Sequence, residues 1–346
     1  MALALLLVAA PAAAYQDPLT AFSFVDERIV ESSGLARSPR NLTVVWTHND
    51  SGSPLLFAVD FDGETHTTVE LEDVEVFDWE DIASGPSPID GSPSLFIGDV
   101  GDNVEDDVTR ASLFVHVVTE PDLAALVSGG TVGLKPTTWE LVWPDAPHDV
   151  ETLLVQPDGS GVILVTKSIS GESIVATADL SGDPAEIVTL VEVGQVSLVE
   201  PDPPNAAAGG PLGPVGFRTA TGGDVDPDGR KVAIRTYEDL LEWDVADGDV
   251  VAALSTPPRR IDLPDSTQGE GLAYGTAGSI LASSEGVGAP VHVLLPDVGV
   301  DEVITTPPRP DEDDDGGTSP AWLIVIAAGL VIVVALGARR RPEDRG

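Results

Sequence analysis

Acidic side chains recur in this chain at matching places of a repeated pattern. Five segments share a polar or acidic residue, a small or acidic one, a branched aliphatic and then, usually, alanine. They are Ser33-Gly34-Leu35-Ala36, Glu80-Asp81-Ile82-Ala83, Glu151-Thr152-Leu153-Leu154, Gly223-Asp224-Val225-Asp226 and Glu270-Gly271-Leu272-Ala273. The pattern sets Glu80, Glu151 and Glu270 at one equivalent position, Asp81 and Asp224 one place later, and Glu31 two places before Ser33. Polar corners downstream add His48, Asn49, Asp50, Asp99, Asp102, Asn103, Lys167, Arg235 and Glu285. Carboxylates that converge cannot all ionise without a counter-charge. Either they bind a hard cation such as Ca2+ through oxygen, or some hold raised pKa values and serve as general acids and bases. On this reading Glu80, Glu151, Glu270 and His48 are the candidate catalytic groups. Asp81, Asp99, Asp102, Asp224 and Glu285 are candidate metal ligands, and Lys167 and Arg235 would hold an anionic substrate group. Taken singly, each residue has a simpler account as a cap on strand ends and tight turns, above all in Asn49-Asp50-Ser51-Gly52 and Asp102-Asn103.

Convergence requires elements arranged about an axis, and the repeat supplies them. With the aliphatic residue as anchor the spacings are 47, 71, 72 and 47 residues, at or above the roughly 40–50 residues of a propeller blade. After each anchor comes a turn, then β-rich runs such as Val44 to Thr47, Val162 to Thr166 and Val232 to Thr236. Short runs of period two between Gly, Pro and Asp turns indicate an all-β fold. Four strands per unit, repeated radially, make a β-propeller, and a β-sandwich or solenoid accounts less well for units this long. The count predicts five blades; six is the alternative if a 71–72-residue interval hides another. The last unit lacks a fourth strand, which Phe22 to Val30 is placed to supply, closing the ring. Asn205 to Gly216 reads as an insertion loop.

Composition narrows the classes. Lys and Arg total 17 against 58 Asp and Glu, a net charge of −41, so a nucleic-acid partner is excluded for want of a basic footprint. No cysteine occurs, which removes disulfides and thiolate metal sites. The acidity also suits solubility in high salt and needs no site to explain it. Nucleophile-elbow, P-loop and dinucleotide motifs are absent.

The chain ends read as an address. Residues 1–14 (MALALLLVAAPAAA) are apolar and end in small residues, as in a secretory signal peptide. The body, 15–304, leads to a Pro/Gly/Asp stalk at 305–320, whose Asp311, Asp313, Asp315 and Gly316 imitate only half of a calcium loop. Segment 321–338 contains 17 uncharged residues from Ala321 to Gly337, roughly 26 Å as a helix and long enough to span a membrane. Arg339, Arg340 and Arg341 open the tail, 339–346, and the positive-inside rule keeps them in the cytoplasm. The expectation is a single-pass cell-surface protein with its acidic body outside.

Several stretches carry a family resemblance together: Ser33-Gly34-Leu35-Ala36, Trp46-Thr47-His48-Asn49-Asp50-Ser51-Gly52, Asp78-Trp79-Glu80-Asp81-Ile82-Ala83, Ile97-Gly98-Asp99-Val100-Gly101-Asp102-Asn103 and Gln268-Gly269-Glu270-Gly271. Over about residues 28 to 295 the chain resembles secreted bacterial, chiefly actinobacterial, propeller proteins, some grouped with phytase-like esterase domains or six-bladed TolB-like propellers. The resemblance implies a propeller, raises six blades as the rival count, and implies ester or phosphoester hydrolysis. The functional expectation is an acidic channel mouth that binds a divalent cation, with Ca2+ as candidate cofactor, and hydrolyses a small ester or phosphoester. The alternative is a non-catalytic surface module that binds a small anionic ligand, a protein or a glycan.

Overall fold

The structure is a computed structural model that describes residues 14–102, 110–126, 128–199 and 213–297, and two further strands within 322–335. The chain divides into two units, Tyr15–Leu295 and a second drawn from both chain ends. Residues 1–13 of the expected leader (1–14), the stalk (305–320) and the tail (339–346), with Asn103 and most of the insertion loop, lie outside the described residues.

Unit Tyr15–Leu295 is a five-bladed propeller. Strand β1 (Leu19–Ser23) precedes the first blade, which comprises β2 (Ser32–Arg37), β3 (Val44–Asn49), β4 (Leu55–Asp60) and β5 (Thr65–Leu71). Blade two holds β6 (Trp79–Pro86), β7 (Pro93–Asp99) and β8 (Leu113–Thr119); β9 (Gly130–Leu134) then returns to the edge of blade one before β10 (Thr137–Val142) completes blade two. Blade three is β11 (Val150–Val155), β12 (Gly161–Thr166) and β13 (Glu172–Asp179), then β14 (Val188–Thr189), which pairs with blade two, and β15 (Val191–Ser197). Blade four is β16 (Ala220–Val225), β17 (Lys231–Thr236), β18 (Asp239–Asp244) and, after a short helix α1 (Val250–Leu254), β19 (Arg259–Asp262). Blade five is β20 (Gly269–Tyr274), β21 (Ile280–Ser284) and β22 (Pro290–Leu294), to which β1 adds as the fourth strand.

The strands are apolar on both faces because each blade is sandwiched between two others. All six residues of β12 (GVILVT) are buried. Val162 and Leu164 face the core shared with blade two, while Ile163 and Val165 face the core shared with blade four. Alternation along a pleated strand sends successive side chains to opposite faces, so period two persists even where every residue is apolar. The five core clusters are the five seams between consecutive blades. The closing seam packs Phe22 and Phe24 with Leu35, Val45 and Phe57.

Three expectations shift. The closing strand is Leu19–Ser23 rather than Phe22 to Val30: pairing with β22 runs from Leu19↔Val293 to Ser23↔Pro290, and beyond it the chain turns through Asp26, whose carbonyl accepts from Ile29 N–H. The long intervals hold no sixth blade among the described residues. They hold the parallel edge strands β9 and β14, short segments that pair on the edge of a finished blade. The expected membrane helix at 321–338 is not seen. Strands β23 (Trp322–Ala327) and β24 (Leu330–Ala335) pair antiparallel, Ala327 opposite Leu330, in a segment rich in Val and Ile, which suit strands. No described helix is long and apolar enough to cross a membrane.

Candidate acidic centre at the channel mouth

The five innermost strands, β2, β6, β11, β16 and β20, contact one another around a closed ring. Each carries a bulge near its start. Pairing jumps from Ser32↔Asn49 to Gly34↔His48, from Trp79↔Asp99 to Asp81↔Gly98, from Val150↔Thr166 to Thr152↔Val165, from Ala220↔Thr236 to Gly222↔Arg235, and from Gly269↔Ser284 to Leu272↔Ala282. The residues left unpaired are Ser33, Glu80, Glu151, Thr221 and the Glu270-Gly271 pair. A bulge re-aims the unpaired side chain, and its fivefold recurrence defines one ring position at one end of the channel.

This register corrects the fourth unit. Its equivalent of Glu80-Asp81 is Thr221-Gly222, two residues before Gly223-Asp224. The glycines and threonines of β16 match the aliphatic anchor poorly, so the pattern slid to the next branched residue, Val225. Asp224 therefore lies further along the strand. Its carboxylate accepts from Tyr274 N–H and Val225 N–H, each at 2.8 Å. It lines a cavity of about 200 Å³ with Arg37, Pro39, Pro86 and Pro157, among the turns at the opposite ends of the inner strands. Burial lifts its pKa to about 7.

Glu80, Glu151 and Glu270 are 8%, 2% and 5% exposed. Ligand atoms of Glu80, Asp149 and Glu151 lie within 4.8 Å of one another. Burial pushes Glu80 well above the carboxylate range, and Glu151, Asp78 and Glu270 push it further. Burial raises Glu151 to about 7, with Lys167 opposing and Asp149 adding. Glu270 is also driven well up, by burial first and then by Glu151 and Glu285. These three side chains therefore feel one another across blades two, three and five.

One lysine answers them. Lys167, at the corner after β12, donates from Nζ to Glu151 Oε1 and stands 5.8 Å from the ring centre of Tyr237. Burial opposes its charge, but Glu151, Tyr237 and Glu80 together outweigh burial and hold its pKa above the ordinary lysine value. The other carboxylate oxygen, Glu151 Oε2, is buried without a hydrogen-bond partner. Gly101 backs the acids closely: a Cβ there would collide with Glu80 Oε1 and the Asp78 carboxylate. Glu285 continues the rim; burial raises its pKa and Glu31 adds to it. Asp50, lifted to about 7 by burial and by Glu31, stands beside it.

Other expected residues are placed elsewhere or spoken for. Asp81 is fully buried one step below the ring, where it accepts from Ile82 N–H at 2.9 Å, Leu153 N–H at 3.0 Å and Gly223 N–H at 3.1 Å. It ties three inner strands together and has no lone oxygen for a metal. Asp99 forms a buried ion pair with Arg110 at 2.6 Å, and Asp102 accepts from Arg110 N–H, so both are engaged by Arg110. Arg235 is buried and donates to the Gly271 and Ser283 carbonyls, joining blades four and five behind Glu270. His48 sits edge-on to Trp79 at 5.5 Å, and burial lowers its pKa to about 4, leaving it neutral.

Asp78 and Asp149 escaped the sequence reading, although a signal was present. Asp78-Trp79-Glu80 and Asp149-Val150-Glu151 share one Asp-x-Glu spacing at the same blade position. Tyr237 carried no comparable mark.

No protein-family model and no curated protein matches the chain. Among solved structures it is similar to one described as a gluconolactonase from Xanthomonas campestris, at 11% identity and a TM-score of 0.40, covering 80% of this chain and 88% of that one. A likeness at that level says nothing of what this chain acts on.

Proposed function

We propose that the acidic mouth is a divalent-cation centre at which a small ester is hydrolysed. The observation that carries the reading is Glu151: buried, with one oxygen on Lys167, the other without a partner, and ligand atoms of Glu80 and Asp149 within 4.8 Å. Three carboxylates and one lysine leave a deficit of two positive charges, which a dication supplies. An all-oxygen donor set favours a hard ion, with Ca2+ the natural candidate. When bound, such an ion polarises an ester carbonyl or phosphoryl oxygen and acidifies a water.

The chain's own residues then have distinct tasks. Glu80, Asp149 and Glu151 hold the cation. Glu270, across the mouth, ionises beside the added positive charge and takes a proton from the attacking water. That water's oxygen bonds to the acyl or phosphoryl centre, the ester C–O or P–O bond breaks, and the alcohol departs with the proton that Glu270 took up. Lys167 steadies the charge that develops on the reacting oxygen. Asp81, spanning the channel beneath, closes the floor of the site.

The test is calorimetric titration of the full chain with Ca2+, followed by turnover of p-nitrophenyl acetate and p-nitrophenyl phosphate with and without the ion. Saturable binding with cation-dependent turnover supports the reading. Binding without turnover would leave a cation-dependent binding module. No binding at millimolar Ca2+ removes the centre.

A further inference from the structure

We propose a second binding site, in the cavity at the far end of the channel, that takes a small zwitterionic α-amino acid, with Arg37 receiving its carboxylate and Asp224 its ammonium group. The prolines of the repeat build the walls. Pro39, Pro86, Pro157 and Pro227 stand at or just after the ends of β2, β6, β11 and β16, and all four line the cavity of about 200 Å³ with Arg37 and Asp224. Proline has a fixed φ and no N–H, so these walls are rigid and present apolar ring faces. At roughly 30 Å³ per water the space holds about seven waters, which is room for an amino acid with a short aliphatic side chain.

The two charges at the cavity do not satisfy each other. Arg37 ends β2 in blade one and Asp224 lies on β16 in blade four, blades that are not neighbours in the ring. Arg37 is close enough for its charge to favour the ionised form of Asp224, yet its guanidinium forms no ion pair or hydrogen bond with any described residue. Arginines elsewhere in this acidic chain reach a carboxylate, as Arg28 reaches Asp26 and Arg110 reaches Asp99. Asp224 is 7% exposed and is held in place by Tyr274 N–H on Oδ2 and Val225 N–H on Oδ1. Each of its oxygens keeps a further acceptor position. A guanidinium and a carboxylate that share a cavity without touching are complementary to a ligand that carries the opposite charges in reverse order. The guanidinium takes a carboxylate through two parallel N–H···O bonds, and the buried carboxylate, with Asp226 in the same wall, takes the ammonium. A simple anion meets the repulsion of a net charge of −41, whereas a zwitterion does not.

The site is separate from the acidic mouth, so the test is run in EDTA, at pH 8, where most of Asp224 is ionised. L-valine titrated calorimetrically into the full chain should saturate at one equivalent with a Kd of about 1 mM or below. Valinamide, which lacks the carboxylate, and N-acetylvaline, which lacks the ammonium, should each bind more weakly by about tenfold or more. Arg37→Gln, whose side chain has no partner to lose, should bind L-valine more weakly by about tenfold or more and no longer distinguish it from valinamide. No saturable heat from L-valine, equal affinity for either half-ligand, or an Arg37→Gln variant that binds as wild type does would overturn the site.

Discussion

Replacing Glu80 by glutamine should act with opposite sign in the absence and presence of a divalent cation. Glu80, Asp149 and Glu151 offer ligand atoms within 4.8 Å of one another. At that separation and an effective dielectric of about 20, each ionised pair repels by roughly 3.5 kcal/mol. Without a cation the folded protein relieves this by holding protons, which costs stability at pH 8. The amide of Glu80→Gln keeps the shape of the neutral acid and needs no proton. The cation-free variant should therefore be more stable than wild type by on the order of 3 kcal/mol at pH 8, or about 6–12 °C in Tm for a unit of this size. With Ca2+ at a hundred times its Kd the wild type gains about 2.7 kcal/mol, and the variant, short of one charged ligand, gains almost none. Differential scanning calorimetry with EDTA and with Ca2+ reads all four states. A Ca2+ shift of equal size in both proteins would refute the reasoning, as would a variant less stable than wild type in EDTA.

Other outcomes follow from the same geometry. Glu151 and Asp224 both have folded pKa values of about 7, above their unfolded values, so folding takes up protons and stability falls as pH rises through that range. His48 and His116, both lowered to about 4 by burial, act oppositely, but only below about pH 6.5. Asp50 at about 7 and the still higher Glu80, Asp81 and Glu270 act in the same direction as Glu151, so between pH 6.5 and 8 the cation-free protein should lose at least roughly 1.4 kcal/mol per pH unit near pH 7, and a Tm that climbs over this interval in EDTA would contradict it. Gly101→Ala should abolish the Ca2+ response by displacing Glu80 and Asp78, whereas Gly182→Ala, with open space around it, should leave the response unchanged in the same titration. Phe22→Ala, in the strand that closes the ring, should cost about 3–5 kcal/mol in urea unfolding; a loss below about 1 kcal/mol would mean that β1 is dispensable to closure.

The architecture was legible because a blade repeats its physics. Each unit must bury two faces and turn at its ends, so branched strands and Pro-Asp-Gly turns return at fixed order, as at Pro157-Asp158-Gly159 and Pro227-Asp228-Gly229. Five units, the fourth strand borrowed from the N-terminus, and the three glutamates at one ring position all follow from that periodicity. The extent of the closing strand did not, because Phe22 and Phe24 continue the same alternation on either side of the point where pairing stops.

What the order of residues left open was decided by register and by partners distant in the chain. Asp224 and Asp81 look like equivalent acids on paper, yet a two-residue slip sends one to the far end of the channel, while three backbone N–H groups occupy the other. Asp99 looks like a metal ligand until Arg110 is found against it. Asp149 gains its role only when it meets Glu80 of the neighbouring blade. Local sequence determines where a strand begins and which way its side chains alternate, since those depend on adjacent residues. Which carboxylate stays without a counter-charge depends on every blade at once, and only the closed ring settles it.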